Sequence, residues 1–377
     1  MSGKKGTKRW LTPWAGSEVK PSIYHITSRV VDRRFVFGDE ERGKFRMFMR
    51  MMENFSGCRV LSYCVMSNHF HILLEVPPMP QGGLGDAELL KRLGVLYGEN
   101  FVKSIADELS AARAEGDGEG GNLELVAEIH GRFTGRMHDL SDFMKTLLQR
   151  FTRWFNRTHN RTGTLWEERF KSVIVESGTA ARTIAAYIDL NPVRAGMVSD
   201  PADYRWSSYG EAVGGGAKGN GKKAREGLVR ACMSHKGIGF EAEKWKEVSR
   251  IYRRAMGMAL ERKPSQTQDL ETQDTRKEGR SAGMNDAEYL EAGADRGQPL
   301  PELSMAKMLR CRVRYFTDGA VIGSKEFVNE AFAGARERFS ERRRDGARRM
   351  RGSGAAAKGV LWSMRDLRVG VGDFLAS

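Results

Sequence analysis

Val65-Met66-Ser67-Asn68-His69-Phe70-His71-Ile72-Leu73-Leu74-Glu75-Val76 is the stretch that decides the reading of this chain. Alternate side chains of a β-strand share a face, so within His69–Val76 the two imidazoles emerge together while Phe70 points away. Two imidazoles on one sheet face are either a pair of metal ligands or polar positions on a solvated strand. Ser67-Asn68 reads as a tight turn and Arg59–Met66 as the strand before it, so the histidines ride on a hairpin. Further upstream, Asp39 to Asn54 repeats Phe45, Phe48, Met49 and Met52 at helical spacing. Asp39 is placed to cap that helix, and Ser56-Gly57 closes it. Ile23–Val30, β-branched and preceded by Pro21, is a first strand. The opening order is β-α-β-β.

Pro77 to Gly83 breaks this pattern, and residues 84–140 read as an insertion with one or two helices (Ala87–Tyr97, Phe101–Ala114). Leu140 to His159 is a stronger helix. Phe143, Leu147, Phe151, Trp154 and Phe155 line one side of it, and Lys145, Arg150, Arg153 and Arg157 project elsewhere. That basic face is either solvated or in contact with phosphate. A strand over Lys171–Glu176 follows the loop Gly163–Phe170, and then a helix over Thr179–Leu190 stops before Pro192. The resulting β-α-β-β-α-β order predicts an α+β, ferredoxin-like core with an antiparallel sheet. Beyond Tyr209 the character changes. Residues 210–227 read as a Gly/Lys-rich linker, Phe240–Met258 as a helix and residues 262–298 as polar and disordered. A mainly helical extension ends the chain, with a helix from Ser324 to about Arg343 and an arginine cluster (Arg342, Arg343, Arg344, Arg348, Arg349, Arg351). The cluster is a candidate phosphate patch or a solvated basic tail. The expected division is a core at 20–210 with its insertion at about 84–140, a linker at 211–300 and an extension at 301–377.

The chain has 377 residues, of which 40% are hydrophobic and 43 are glycine. This is room for two domains, or for one with elaborations. No apolar run of about 18 residues is present, so no membrane-spanning helix is expected. The basic start, Met1 to Arg9, leads into no apolar segment of a secretory signal. Cys58, Cys64, Cys232 and Cys311 show no CxxC spacing and read as reduced thiols of a cytosolic protein. Lys and Arg number 62 against 48 Asp and Glu, a net charge of +14. Such a surplus favours polyanions, nucleic acid before anionic membrane.

Tyr187 and Asn191 stand four residues apart and so share one helix face. The Asn191 amide oxygen suits a hard divalent cation. The Tyr187 hydroxyl becomes a nucleophile when a neighbouring metal or base assists it, although a helical tyrosine is more commonly a packing residue. The set Ser67-Asn68-His69-Phe70-His71, Gly163-Thr164-Leu165-Trp166, Arg169-Phe170-Lys171-Ser172 and Tyr187-Ile188-Asp189-Leu190-Asn191-Pro192-Val193-Arg194-Ala195-Gly196 resembles the HUH single-strand DNA transposases. It is most similar to the REP-associated tyrosine transposases of bacteria, and Asp203-Tyr204-Arg205-Trp206-Ser207-Ser208-Tyr209 continues the likeness. The resemblance spans roughly residues 20–210, apart from the insertion.

That resemblance implies a bacterial enzyme acting in the cytoplasm, at the nucleoid. Tyr187 would attack a phosphodiester and form a 5′-phosphotyrosine. His69 and His71 would hold Mg²⁺ or Mn²⁺, with Asn191 completing the set where some relatives carry glutamine. Glu75 lies on the same alternation but is not a ligand in the family. The substrate would be single-stranded or hairpin-forming repeat DNA, handled by a monomer or a homodimer. Phe151, Trp154 and Trp166 are candidates for base stacking, the first two fitting the core better. Arg169, Lys171 and Arg194 within the motifs, and Arg343 and Arg344 in the extension, are candidates for DNA contact or for structure. Three alternatives remain: a DNA-binding protein that kept the fold without the chemistry, a metal hydrolase that uses water, and an RNA-binding module of the same topology. The last would present aromatics on its sheet, where this strand presents histidines.

Overall fold

Strand β1 (Ser22–Arg29) runs antiparallel between β3 (His69–Val76) and β4 (Lys171–Val175) in the computed structural model of the protein. The described residues are 11–115, 121–215, 220–233, 242–258, 309, 316–317, 319–339, 341, 343–350 and 361–365. Strand β2 (Arg59–Val65) flanks β3, which gives the order β2-β3-β1-β4 expected of a ferredoxin-like βαββαβ core. The sheet then continues through β5 (Gly319–Gly323), β7 (Trp362–Arg365) and β6 (Arg348–Arg349) to seven strands. Strand β5 is parallel to β4, while the other neighbours pair antiparallel.

Period-two alternation divides the apolar side chains of β3 between two cores. Phe70, Ile72 and Leu74 pack under α1 (Asp39–Ser56) and α5 (Leu140–Thr158), among Phe45, Met49, Phe143, Leu147 and Phe151. Leu73 belongs to the opposite layer with Ile23, Val173 and α6 (Thr179–Asp189). Helix α1 ends at Gly57, whose φ of 74° is the left-handed cap geometry that glycine adopts without a Cβ penalty. Its N-cap is the extended Gly38 rather than Asp39. The Asp39 carboxylate instead accepts from Trp206 Nε1 at 3.0 Å and Arg205 Nη2 at 3.1 Å, tying the helix to the segment beyond α6.

The insertion holds three helices, one more than expected: α2 (Asp86–Leu96), α3 (Glu99–Ala114) and α4 (Leu123–Thr134). Leu89, Leu93, Ile105, Leu109 and Ile129 join them to the α1–α5 core, so the insertion is part of the main packing. Short helices α7 (Asn191–Arg194) and α8 (Ser208–Gly214) follow α6.

The expected linker at 210–227 is a correction. It is occupied by α8 and by the first half of α9 (Asn220–Met233). Ala224, Leu228 and Ala231, at helical spacing, are buried against β2 and α6. Gly227 is required because a Cβ there would overlap the carbonyl oxygens of Val60 and Leu61. From the same helix, Arg230 Nη2 pairs with the buried Glu75 at 2.7 Å, so Glu75 holds α9 down. Helix α10 (Ala242–Ala255) lies where a helix was expected, and residues 262–298 fall outside the described residues.

The extension contains one helix of eight residues or more among its described residues, α11 (Lys325–Ala333), which stops before Gly334 rather than near Arg343. The expectation of mainly helical structure there is corrected by β5, β6 and β7. Ala320, Val321 and Ile322 are buried, which suits a strand in the sheet interior and hides the alternation by which an exposed strand is read. No helix among the described residues is long and apolar enough to cross a membrane.

Gly227→Ala should therefore lower stability by about 1–3 kcal/mol, because the new methyl group must push α9 away from the β2 backbone. A urea titration followed by far-UV circular dichroism measures this. An unchanged midpoint would mean that α9 is not docked on β2.

Candidate active site

The strand register brings the chemistry-bearing side chains to one face. Thr27 lies opposite His71 and Arg29 opposite His69, while His25 lies opposite Leu73. Residues paired across a sheet share a face, so His25, His69 and His71 all point toward α6. The Tyr187 ring of α6 stands edge-on to both buried imidazoles, with centroids 6.2 Å from His71 and 6.3 Å from His25. Tyr187 is 2% exposed, His71 4% and Asn191 9%, so the cluster is enclosed.

Hydrogen bonds set the tautomers. The Phe316 backbone carbonyl can only accept, so His25 donates Nδ1–H to it at 2.6 Å. Burial holds the His25 pKa down to about 4, and the ring is neutral with its lone pair on Nε2. That lone pair accepts from His71 Nδ1–H at 3.0 Å, which leaves the His71 lone pair on Nε2. Burial also pushes the His71 pKa well below the ordinary value, aided by the neighbouring His25 and His69. His69 reaches the same tautomer by a shorter route. Asn68 donates Nδ2–H to the Arg33 carbonyl at 2.9 Å, which turns its amide oxygen toward His69 Nδ1 at 2.7 Å. Both motif histidines therefore present an Nε2 lone pair.

The imidazole centroids of His69 and His71 are 5.2 Å apart. An ion about 2.1 Å from one nitrogen of each ring fits between them. Asn191 donates Nδ2–H to the Tyr187 and Ile188 carbonyls at 3.2 and 3.1 Å, which leaves its Oδ1 as an acceptor. Among the described residues no three His, Cys, Asp or Glu side chains are arranged to hold a metal ion. The two imidazole nitrogens are donors of the kind that suits a divalent cation.

Arg194 is the cation at the site. Its guanidinium lies 3.9 Å from the Tyr187 ring centroid and donates to the carbonyls of Tyr187 and Leu309, each at 2.8 Å. Phe316 also packs on the Tyr187 ring, edge to face, with centroids 4.9 Å apart. Two residues beyond Tyr187, the buried Asp189 fixes α6. It accepts from Tyr209 N at 2.9 Å and Tyr252 Oη at 2.7 Å, and burial raises its pKa to about 7.

Of the other candidates, Lys171 lies opposite Thr27, which lies opposite His71, so it joins the histidine face two strands away. Arg169 is exposed in the loop before β4. Arg343 and Arg344 precede β6 at the far edge of the sheet. Four strand spacings separate that edge from β1, about 19 Å. Arg343 donates to the Asp345 and Gly346 carbonyls, so it is built into its own turn. Phe151 is core, and Trp166 packs on Phe37 and Phe70 and donates to Thr152 at 3.0 Å. Sequence reasoning missed His25 and Arg29. The signal available for His25 was its parity with the buried Ile23 in the same strand.

Residues 18–81 match the family model described as transposase IS200 like. The matched segment holds His25, His69 and His71, in accord with the resemblance read from the motifs, and it ends well before Tyr187. A solved structure of a REP-associated tyrosine transposase bound to a REP hairpin is also similar, at 14% identity and a TM-score of 0.32, over 58% of this chain and 90% of that one. No curated protein matches.

The depressed His25 pKa has a stability consequence. Between its ordinary value of 6.5 and about 4, the unfolded chain binds a proton that the folded chain excludes. Stability from this residue is present above pH 6.5 and lost as pH falls. Asp189 works in the opposite sense over a similar window, so the His25 share is read as a difference. The urea midpoint of the metal-free protein should fall more steeply between pH 6.5 and 4 than that of His25→Gln, which keeps an acceptor for His71 but does not titrate. Parallel curves would remove His25 from the account.

Proposed function

We propose that this protein is a transposase that nicks and rejoins single-stranded or hairpin DNA through Tyr187, acting in the bacterial cytoplasm. The observation that carries the reading is the meeting of Tyr187 with two Nε2-presenting histidines and Arg194 on one sheet face. The family match over residues 18–81 supports the same reading.

In the proposed reaction the Tyr187 oxygen attacks phosphorus and the bond to the 3′ oxygen breaks. The 3′ oxygen leaves with a proton as a free hydroxyl, and the 5′ side remains as a tyrosine phosphodiester. The reverse attack by a 3′-hydroxyl rejoins the strand without an external energy source. His69 and His71, with Asn191 Oδ1, would hold Mg²⁺ or Mn²⁺, which would supply Lewis-acid polarisation of the scissile phosphate. Asn68 and His25 keep the two rings in the ligating tautomer, a supporting role that outer hydrogen bonds commonly play. Arg194 orients the Tyr187 ring and places a cation beside the incoming phosphate. Arg29 and Lys171 add positive charge along the same face, where an approaching strand would run.

Tyr187 is enclosed by Phe316 and by the Arg194–Leu309 contact. A DNA strand reaches the hydroxyl only once that cover has moved. The cover also makes a binding protein without chemistry the reading to beat.

Two measurements test the proposal. Labelled hairpin oligonucleotides from the DNA flanking the gene, incubated with Mn²⁺ or Mg²⁺, should yield a covalent adduct on a denaturing gel that carries the label 3′ of the cut. Tyr187→Phe should abolish the adduct and keep binding. Cleavage without an adduct would favour hydrolysis by water, and binding without cleavage in either metal would favour the inactive reading. Phe316→Ala, which keeps the carbonyl that orients His25, should speed adduct formation several-fold. A slower rate would refute the idea that the Phe316 ring blocks access.

A further inference from the structure

A second site lies on the opposite face of the sheet from the histidines. Helices α1 and α5 and the insertion enclose a cleft of about 530 Å³. Five cations line it: Lys44, Arg136, Arg150, Arg153 and Arg157. Among the described residues no carboxylate lines it and none of the five makes an ion pair. Another cleft, between β2, α2 and α9, also collects cations, but there Arg92 meets Glu88 at 2.8 Å and Lys223 meets Glu53 at 3.9 Å. Converging like charges repel one another, and among the described residues nothing in the α1–α5 cleft neutralises them.

Three half-buried aromatics share the walls: Phe48, Tyr97 and Trp154. Lys44 Nζ stands 5.8 Å from the Phe48 ring and 5.7 Å from the Trp154 ring. Arg136 is held in place by Tyr97 Oη at 2.9 Å, and Arg150 by the Leu96 carbonyl at 3.4 Å. On α5 the cations follow helical spacing, since Arg150, Arg153 and Arg157 differ by three and four. From Thr146 to Arg157 this row runs about 17 Å along the helix.

We propose that this cleft is a binding site for single-stranded DNA, separate from the nicking site. The unpaired cations would track backbone phosphates while Trp154, Phe48 and Tyr97 stack on unpaired bases. Duplex DNA presents phosphates but keeps its bases stacked within the helix, so it cannot use the aromatic walls. Tyr97 and Arg136 come from the insertion, which gives that segment a role beyond packing. The site would grip a part of the strand that is not being cut. It does not depend on the nicking chemistry.

The test is fluorescence anisotropy of the full-length protein with a dye-labelled oligo-dT of about ten nucleotides, in EDTA so that no cleavage contributes. Arg153→Ala/Arg157→Ala alters two exposed side chains and should leave the fold intact. Losing two phosphate contacts should reduce the slope of log K against log salt by about 1.4 and weaken binding about 25-fold at 0.1 M salt. Trp154→Leu should weaken binding roughly 5-fold or more without changing the salt slope. Unchanged affinity and slope in the double arginine variant would overturn the site, as would a matched duplex binding as tightly as oligo-dT. Neither result depends on Tyr187: an intact cleft in a protein that forms no adduct would sink the nicking proposal alone, and an adduct-forming protein with a silent cleft would sink this one alone.

Discussion

The chain of hydrogen bonds from the Phe316 carbonyl through His25 to His71 is the constraint on which the site depends. An imidazole buried on both sides of a sheet costs free energy unless its nitrogens find partners. The central strand β3 is buried from Phe70 to Leu74, so His71 has no recourse to water. One backbone carbonyl, which cannot donate, propagates its polarity through two rings and delivers a lone pair at a defined place. His69 sits at the strand's end and is half-buried, and the local Asn68 amide suffices for it. Burial and orientation are thus one fact here: the environment that keeps the rings neutral also chooses their tautomers.

The βαββαβ core was legible because its patterns are local. β3 spans His69–Val76 as read, α5 begins at Leu140 beneath an Asp139 cap, and α6 begins at Thr179. What escaped reading was set by partners far away in the chain. The glycines and lysines of 210–227 resemble a linker, yet Gly227 is the residue that permits close approach to β2. Strand β5 pairs with β4 across nearly 150 residues, and its short Gly-bounded apolar run has no alternation to announce it. His25 could be seen in its strand, but its function depends on Phe316, 291 positions away. Phe316, which packs on Tyr187, and Leu309, which accepts from Arg194, lie in the segment whose composition is least informative.

The two faces of the sheet divide the labour by charge environment. On the α6 face, Arg194 bonds to two carbonyls, and Glu75 and Asp189 are buried carboxylates satisfied by donors. On the α1–α5 face Arg136 and Arg150 bond only to neutral groups, and among the described residues none of the five cleft cations meets a carboxylate. A charge already spent on the protein holds structure, whereas an unspent one is available to a ligand. The same distinction separates Arg343, bonded within its own turn, from Arg153 and Arg157.

The C-terminal region has two roles at the site that pull against each other. Its Phe316 carbonyl orients His25, and hence His71, while its Phe316 ring packs on Tyr187 and its Leu309 carbonyl holds Arg194. Admitting a phosphodiester requires the ring to move; keeping the tautomer requires the carbonyl to stay. A rotation about the Phe316 side-chain bonds satisfies both demands, since ring and carbonyl belong to one residue but swing independently. Withdrawal of the whole segment satisfies only the first, because it frees His25 Nδ1 and removes the constraint on His71. Opening by side-chain rotation is therefore the motion that would let the proposed reaction proceed with the tautomer of His71 unchanged.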